Sequence, residues 1–389
     1  MRSSETVMLR AVYAVALMLA AAVLVPSLAR AQFGAPAANQ ADMPVDARMR
    51  AVTVDSLAAA LETRYVFADV GRCTAQALRA KVRKGSYDGV NTAMSFADSL
   101  TADLHAIGKD RHFRVQYYER SLPVASFSVD GPSEDELSRA ADQSRYRNYG
   151  FDRIQRLAGN VGYLDLRMFD DSPEGGAVAM AAMTFLNNTD ALIVDLRRNG
   201  GGSPNMITLL LSWLFPAGER VHVNDFYMRD GDRTEQFWTL TTLPIARYAG
   251  KDVYVVTGPR TASAAEEFSY DIKNLKRGML IGETTAGGAN PGGLVRLNEH
   301  FAAFISDGRA INPITKTNWE GVGVTPDVNV KAEEALKTAH VTAVTKLLDQ
   351  AKDAERRALL QRALQSAKDA PVEPLDPGGG APRRVRITG

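Results

Sequence analysis

Cysteine is almost absent from this 389-residue chain, which contains a single one, Cys73. One cysteine excludes an intrachain disulfide, and nothing around it favours a zinc or thiol site. We therefore expect Cys73 to be a small buried residue.

An excess of charge of one sign is also missing, because the formal net charge at pH 7 is +1. Binding to a phosphate backbone requires a basic field. The near-neutral balance therefore argues against nucleic acid as a partner.

Long apolar runs are lacking after the N-terminus. The one such run, residues 11–25, follows Arg2 and Arg10 and precedes the small-x-small pattern Ala29-Arg30-Ala31. It is shorter than the ~20 apolar residues of a membrane span, so a signal peptide is favoured over an anchor. We expect residues 1–31 to be removed and the mature protein to be periplasmic or secreted, with no stable membrane span.

The rest of the chain divides into segments that differ in composition and hydrophobic periodicity, and no internal repeat occurs. Val54, Leu57, Ala58 and Leu61 recur at helical spacing, and so do Ala93, Phe96, Leu100 and Leu104. The predicted units are a flexible leader (32–46), an N-terminal helical domain ending in the His112 turn and a strand (47–118), a connecting segment (119–155), an α/β core (156–331), a C-terminal helical region (332–368) and a disordered tail (369–389).

Within the predicted core, apolar runs at residues 161–166, 191–196, 253–256 and 279–282 have the character of buried strands. Helical patterns at residues 177–186 and 206–215 lie between them. This alternation predicts an α/β layer fold with a largely buried sheet. Residues 301–306 with the turn residues 307–308 indicate a hairpin.

Ser263 is the first candidate for chemistry, because it lies between the predicted strand at 253–256 and a helical segment beginning near Glu266. A serine at such a junction is held by the strand and faces helix N-terminal amides that stabilise negative charge. The alternative is a plain N-cap serine in a capping box with Glu266.

Three further features could complete a serine site. The loop Asn199-Gly200-Gly201-Gly202 lacks the spacings of nucleotide-binding loops and fits an oxyanion-binding loop or a simple turn. His112, one of five histidines, lies in a turn, and is either a functional residue, which turn positions favour over packing, or only a solvated side chain, the more common case for a lone turn histidine. Glu320 lies in a glycine-spaced segment and is either an orienting acid or a surface charge.

Five segments together resemble the C-terminal processing, or tail-specific, family of serine peptidases. The likeness is greatest to the branch related to tricorn protease and to interphotoreceptor retinoid-binding protein, and it covers about residues 50–330. The segments are Asp110-Arg111-His112-Phe113-Arg114-Val115, Asp195-Leu196-Arg197-Arg198-Asn199-Gly200-Gly201-Gly202, Thr261-Ala262-Ser263-Ala264-Ala265-Glu266, Gly282-Glu283-Thr284-Thr285-Ala286-Gly287-Gly288 and Glu320-Gly321-Val322-Gly323-Val324-Thr325-Pro326-Asp327.

The resemblance implies a crotonase-like ββα core and a hydrolase that needs no cofactor or metal. It gives Ser263 the nucleophile position, His112 that of the general base and Glu320 that of the orienting acid. The amide of Ala264, with that of Gly200 or Gly201, would form the oxyanion hole. The implied substrate is a peptide or protein.

Two departures from the family pattern qualify this. Many members use a lysine base twenty-five residues after the serine, and Gly288 occupies that position here. Many also carry a PDZ domain, for which the stretch between His112 and the strand at residue 161 is too short. The base therefore has to be His112, and recognition of a substrate tail through a PDZ domain is not expected.

Two other functions stay open at this stage. The retinoid-binding relatives are thought to bind apolar ligands without catalysis, so this chain could be a binding protein on the same fold. It could also be a non-peptide acyl hydrolase, because esterases and peptidases share the same site chemistry. Phe301, Phe304 and Trp319 are candidates to line an acyl pocket, or they belong to the core.

Overall fold

The structure, a computed structural model, describes residues 39–122 and 134–375. The predicted signal peptide and residues 32–38 of the predicted leader lie outside the described residues, as does the tail from residue 376 onward. None of the described helices is both long and apolar enough to cross a membrane.

Three helices, α1 (Ala47–Arg64), α2 (Ala68–Arg83) and α3 (Ala93–Gly108), form the N-terminal part and lead into β1 (Arg114–Tyr117). Asp46 caps α1 by accepting a hydrogen bond from the Met49 amide. The apolar positions at helical spacing are buried: Val54, Leu57, Ala58, Leu61, Ala93, Phe96, Leu100 and Leu104. They pack with β1 and with Phe301, Ala303 and Ile305 in one apolar core.

Cys73 is exposed, so the prediction of a buried cysteine was wrong. Helix α2 turns Gly71, Thr74, Ala75 and Leu78 toward the interior. Cys73 falls between these positions, on the outer face of the helix.

The central sheet has six strands in the order β12-β8-β7-β4-β3-β2. Its strands are β2 (Phe151–Leu157), β3 (Val161–Leu166), β4 (Ala191–Asp195), β7 (Asp252–Thr257), β8 (Met279–Gly282) and β12 (Val328–Asn329). All neighbours pair in parallel except β2 and β3. The predicted α/β fold is confirmed, although its sheet begins at Phe151 rather than at residue 156.

Helices cover both faces of this sheet. Helices α5 (Pro173–Leu186), α6 (Pro204–Leu214) and α7 (Ala264–Asn274) pack on one face. Helices α8 (Ala332–Gln350) and α9 (Ala354–Asp369) pack on the other. Helix α4 (Glu134–Tyr146) precedes β2. The parallel strands are buried on both sides, which explains their continuous apolar runs.

Two smaller sheets flank the core, and their strand pairing differs from the predicted hairpin. Strand β10 (Phe301–Ser306) pairs with β9 (Gly292–Arg296) and β1, whereas β11 (Gly308–Ile311) pairs with β5 (His222–Met228), which in turn pairs with β6 (Arg233–Trp238). The chain at residues 306–308 therefore passes from one sheet to another. The hairpin partner of β10 is β9.

The predicted disordered tail begins too early. Within residues 371–375, Glu373 forms ion pairs with Arg153 and with the fully buried Arg197. The segment after α9 is thus anchored beside the end of β4.

Candidate active site

Ser263 stands on a strained turn between β7 and α7. Its backbone has φ 55° and ψ −121°, a region that residues other than glycine rarely occupy. Such strain persists only where surrounding contacts impose it. Here the Thr261 hydroxyl donates to the Leu196 carbonyl at 2.8 Å, and the Ala262 amide donates to the Asn199 carbonyl at 3.1 Å.

Glu266 fastens this turn to a second loop. Its buried carboxylate accepts hydrogen bonds from the Ser263 amide at 2.9 Å, the Thr285 hydroxyl, the Gly287 amide at 2.6 Å and the Gly288 amide at 2.9 Å. Burial raises the pKa of Glu266, and these hydrogen bonds oppose that effect. The Glu266 part of the expected capping box is present, and the same carboxylate also links the Ser263 turn to the loop containing Gly288.

The glycine-rich loop after β4 closes on Ser263 from the other side. A Cβ atom at Gly201 would lie 2.8 Å from Ser263 Cβ, and Gly201 has φ 117°, so this position requires glycine. The Gly201 amide already donates to Asn199 Oδ1 at 2.9 Å, which favours Gly200 over Gly201 as an oxyanion donor. Gly200, which is exposed, and Ala264, whose amide has no intrahelical acceptor in the first turn of α7, are the remaining pair.

His112 lies in the turn between α3 and β1. A Cβ atom at Gly288 would lie only 2.9 Å from His112 Cε1. The ring therefore fills the space that a side chain at the family's lysine position would need. Because Glu266 binds the amides of both Ser263 and Gly288, the structure brings His112 into the neighbourhood of Ser263.

Nδ1 of His112 is buried without a hydrogen-bond partner among the described residues. The Phe304 ring lies 5.5 Å from the His112 ring, whereas Phe301 and Trp319 are core residues. Phe304 therefore lies beside the His112 ring, and Trp319 reaches the same region by donating its indole N–H to the Gly288 carbonyl at 2.9 Å.

The other four histidines have partners of their own. His105 contacts the Phe113 carbonyl, His222 the Asp225 carboxylate, His300 the Tyr118 carbonyl and His340 the Ala158 carbonyl. His112 is thus the histidine that the fold places beside the Ser263 turn.

Glu320 and Asp110 both approach His112. One oxygen of each carboxylate and one ring nitrogen of His112 all lie within 4.8 Å of one another. The Glu320 oxygens accept hydrogen bonds from the amides of Arg111, Ala289 and Asn290 at 2.7–3.1 Å. These residue types also ligate divalent metals, but both carboxylates already accept hydrogen bonds, and the group fits proton transfer better.

The electrostatics follow from burial. Burial lowers the pKa of His112, the Asp110 charge opposes this and Arg114 adds to it. Burial, together with the Asp110 charge, raises the pKa of Glu320 to about 6. A neutral imidazole is therefore the favoured form of His112 at pH 7.

Sequence reasoning assigned no role to Asp110, and it treated Glu266 only as a helix cap. Asp110 is 1% exposed and accepts a hydrogen bond from the His112 amide at 2.8 Å. An aspartate two residues before a turn histidine is the pattern of an Asx turn, which could have identified it.

Comparisons with known proteins identify the family of the chain. Residues 160–330 match peptidase family S41, and residues 44–144 match the N-terminal domain of Peptidase_S41 in eukaryotic IRBP. The two matches together span more than half of the chain.

Among individual relatives, a carboxyl-terminal-processing peptidase 2 from Arabidopsis thaliana is 31% identical over 43% of this chain and 31% of its own length. A tail-specific protease from Haemophilus influenzae is 36% identical over 25% of this chain and 13% of its own. The chain thus spans about a third or less of these relatives.

Among solved structures, a putative peptidase from Parabacteroides merdae is 19% identical to this chain with a TM-score of 0.49. The match covers 72% of this chain and 90% of the peptidase chain. The photosystem II D1 C-terminal processing protease has a TM-score of 0.45 and 16% identity, and covers 73% of this chain and 94% of its own. From the two family matches and the site they contain, the chain belongs to peptidase family S41.

Proposed function

We propose that this protein is a serine peptidase in which Ser263 is the nucleophile, His112 the general base and Glu320 a supporting acid. The observation that carries the proposal is the convergence of two distant segments. The strained Ser263 turn and the His112 ring meet at the Gly287-Gly288 loop, which Glu266 binds to the Ser263 amide.

The chemistry follows from these positions. Ser263 Oγ attacks the substrate carbonyl while His112 accepts the hydroxyl proton. The amides of Ala264 and Gly200 stabilise the oxyanion. His112 then returns its proton to the leaving amine, and water, deprotonated by His112, hydrolyses the acyl-enzyme.

We further propose that the substrates are peptides or proteins and that the enzyme acts outside the cytoplasm. The names of the relatives support the first point, and the predicted signal peptide supports the second.

The test is peptide hydrolysis by the wild-type protein and by Ser263→Ala. We expect a loss in kcat/KM of about 10³-fold or more, because triad members act as a unit. Ser269→Ala is the matched control, since Ser269 lies on the same helix and its hydroxyl donates only to the Ala265 carbonyl. Full activity in Ser263→Ala would refute the nucleophile assignment.

A parallel assay separates the alternatives. Ester turnover without peptide turnover would identify an acyl hydrolase of another kind. Failure of every serine-directed probe to label Ser263 would favour the binding protein.

A further inference from the structure

Two carboxylates lie beside His112, and their surroundings differ. This difference bears on which of them acts on the histidine, a question that rests on the proposed function above.

Glu320 is engaged by backbone amides of two loops. Its Oε1 accepts from the Arg111 amide at 2.9 Å, and its Oε2 accepts from the amides of Ala289 and Asn290 at 2.7 and 3.1 Å. These three bonds fasten the His112 turn to the loop that ends at Asn290. Glu320 therefore holds the two loops together.

Asp110 has a different set of contacts. Its Oδ1 accepts from the His112 amide at 2.8 Å, and its Oδ2 accepts from Asn290 Nδ2 at 3.3 Å. Both Asp110 and Asn290 are 1% exposed, so water screens this charge weakly. The Tyr65 hydroxyl also interacts with Asp110.

We propose that Asp110 is a positioning residue for the reaction: it fixes the His112 turn and supplies negative charge that stabilises protonated His112, while Glu320, the supporting acid, also joins the two loops. The charges that act on the His112 pKa agree with this assignment, because Asp110 raises it and Arg114 lowers it. Burial raises the pKa of Glu320 to about 6, so its charge is lost in mildly acidic solution.

The consequence is an unequal response to neutralisation. Asp110→Asn keeps an oxygen that can accept from the His112 amide but removes the charge. Glu320→Gln replaces the other carboxylate with a neutral amide and weakens its hydrogen bonds to the amides of the two loops. A purely structural Asp110 would leave the titration of His112 unchanged in a folded variant.

The experiment is an NMR titration of His112 in the Ser263→Ala protein, alone and combined with Asp110→Asn or Glu320→Gln. We expect Asp110→Asn to lower the His112 pKa by about one unit, as loss of a nearby buried charge does. Glu320→Gln should lower it by less. An unchanged pKa in Asp110→Asn, or a larger shift in Glu320→Gln, would overturn the proposal.

A second variant, in which residues 110 and 290 exchange side chains, keeps the proposal testable if Asp110→Asn alone does not fold. Asp110→Asn combined with Asn290→Asp restores an amide-carboxylate pair at this position but moves the charge from residue 110 to residue 290, outside the turn that contains His112. We expect the His112 pKa to fall below that of the parent protein, and an unchanged or raised pKa would contradict the proposal.

Turnover gives a second readout in the Ser263-containing enzyme. We expect Asp110→Asn to lower kcat/KM by up to about 10⁴-fold, mainly through kcat, as loss of the orienting aspartate does in a serine protease. The titration requires no activity, so an inactive wild-type protein would refute the proposed function while still leaving the Asp110 assignment open to test.

Discussion

The two halves of the site are built in different ways. The Ser263 half belongs to the core of the central sheet, and its contacts come from nearby loops: the Asn199 carbonyl, the Leu196 carbonyl and the Glu266 carboxylate. The His112 half belongs to the core formed by α1–α3 and the β1-β10-β9 sheet. The proposed nucleophile is therefore held by the central sheet and its loops, whereas the proposed base belongs to the N-terminal helical part.

This difference locates the sensitive point of the molecule. The halves meet where His112 lies against Gly288 and where Glu266 and Glu320 bind the amides of residues 287–290. Changes to the contact between His112 and Gly288 should affect turnover more than stability. Changes inside either half should affect stability first.

The largest effect is expected at the junction itself. Gly288→Ala would place a Cβ atom 2.9 Å from His112 Cε1 and would displace the ring from Ser263. We expect kcat/KM to fall by about 10²-fold or more with little change in Tm, because general-base catalysis contributes about 10²–10⁴-fold.

Gly176→Ala is the control for Gly288→Ala, because nothing lies within 4 Å of an added Cβ atom there. Its activity should match that of the wild type. Wild-type kcat/KM in Gly288→Ala would show that His112 does not act from this position.

A smaller effect is expected on the nucleophile side. Glu266→Gln would replace one acceptor oxygen of a buried, four-fold hydrogen-bonded carboxylate with a donor. We expect a loss of about 2–4 kcal/mol in the free energy of unfolding, since at least one buried donor is left unpaired. Urea denaturation measures it, and a change below 0.5 kcal/mol, roughly the level of a surface substitution, would contradict the role of Glu266.

The pH profile tests the base side. Neutral His112 is the working base, and burial lowers its pKa from the ordinary value of 6.5. The acid limb of kcat/KM should therefore have its midpoint below pH 6.5. Glu320 titrates nearby, at about 6, so the profile of Glu320→Gln separates the two groups. A midpoint at or above pH 7 that Glu320→Gln does not move would refute this environment for His112.

The smallest effect is expected for Glu267, a buried acid on α7, the helix that begins directly after Ser263. Glu267 is 3% exposed, and burial raises its pKa to about 8. Burial also raises the pKa of Asp271, which lies one turn further along α7. A raised folded-state pKa favours the protonated acid. Stability from this group is thus fully present below the unfolded pKa near 4.5 and is lost as pH rises toward 8.

Glu267→Gln should remove that pH dependence. We expect the variant to gain about 1–3 kcal/mol relative to the wild type between pH 5 and pH 8. Thermal or urea unfolding at the two pH values measures this. Parallel curves for the two proteins would show that Glu267 does not titrate in this range.

How far the sequence could predict this molecule depended on the kind of pattern. Helices at apolar spacing and buried parallel strands were predictable because each follows from local periodicity. The pairing of β10 with β9 and β1 was not, since strand partners are chosen by tertiary packing and not by the turn at residues 307–308.

The site divides in the same manner. Ser263 was recognisable from a local strand-to-helix junction, and Gly288 marked the missing lysine. The use of the Gly201 amide by Asn199 Oδ1 has the local spacing of an Asx turn and could have been predicted. The closeness of Asp110 to Glu320 depends on a three-dimensional contact that no spacing in the sequence indicates.

The central claim is that His112 and Ser263 act together across the junction of the two halves. The most direct measurement is a crystal structure of the protein after reaction with a peptide boronate. The account predicts boron bonded to Ser263 Oγ, one boronate oxygen within about 3 Å of the Gly200 and Ala264 amides and another equally close to a His112 ring nitrogen. A boronate bound to another residue, or a His112 ring turned away from the adduct, would contradict it.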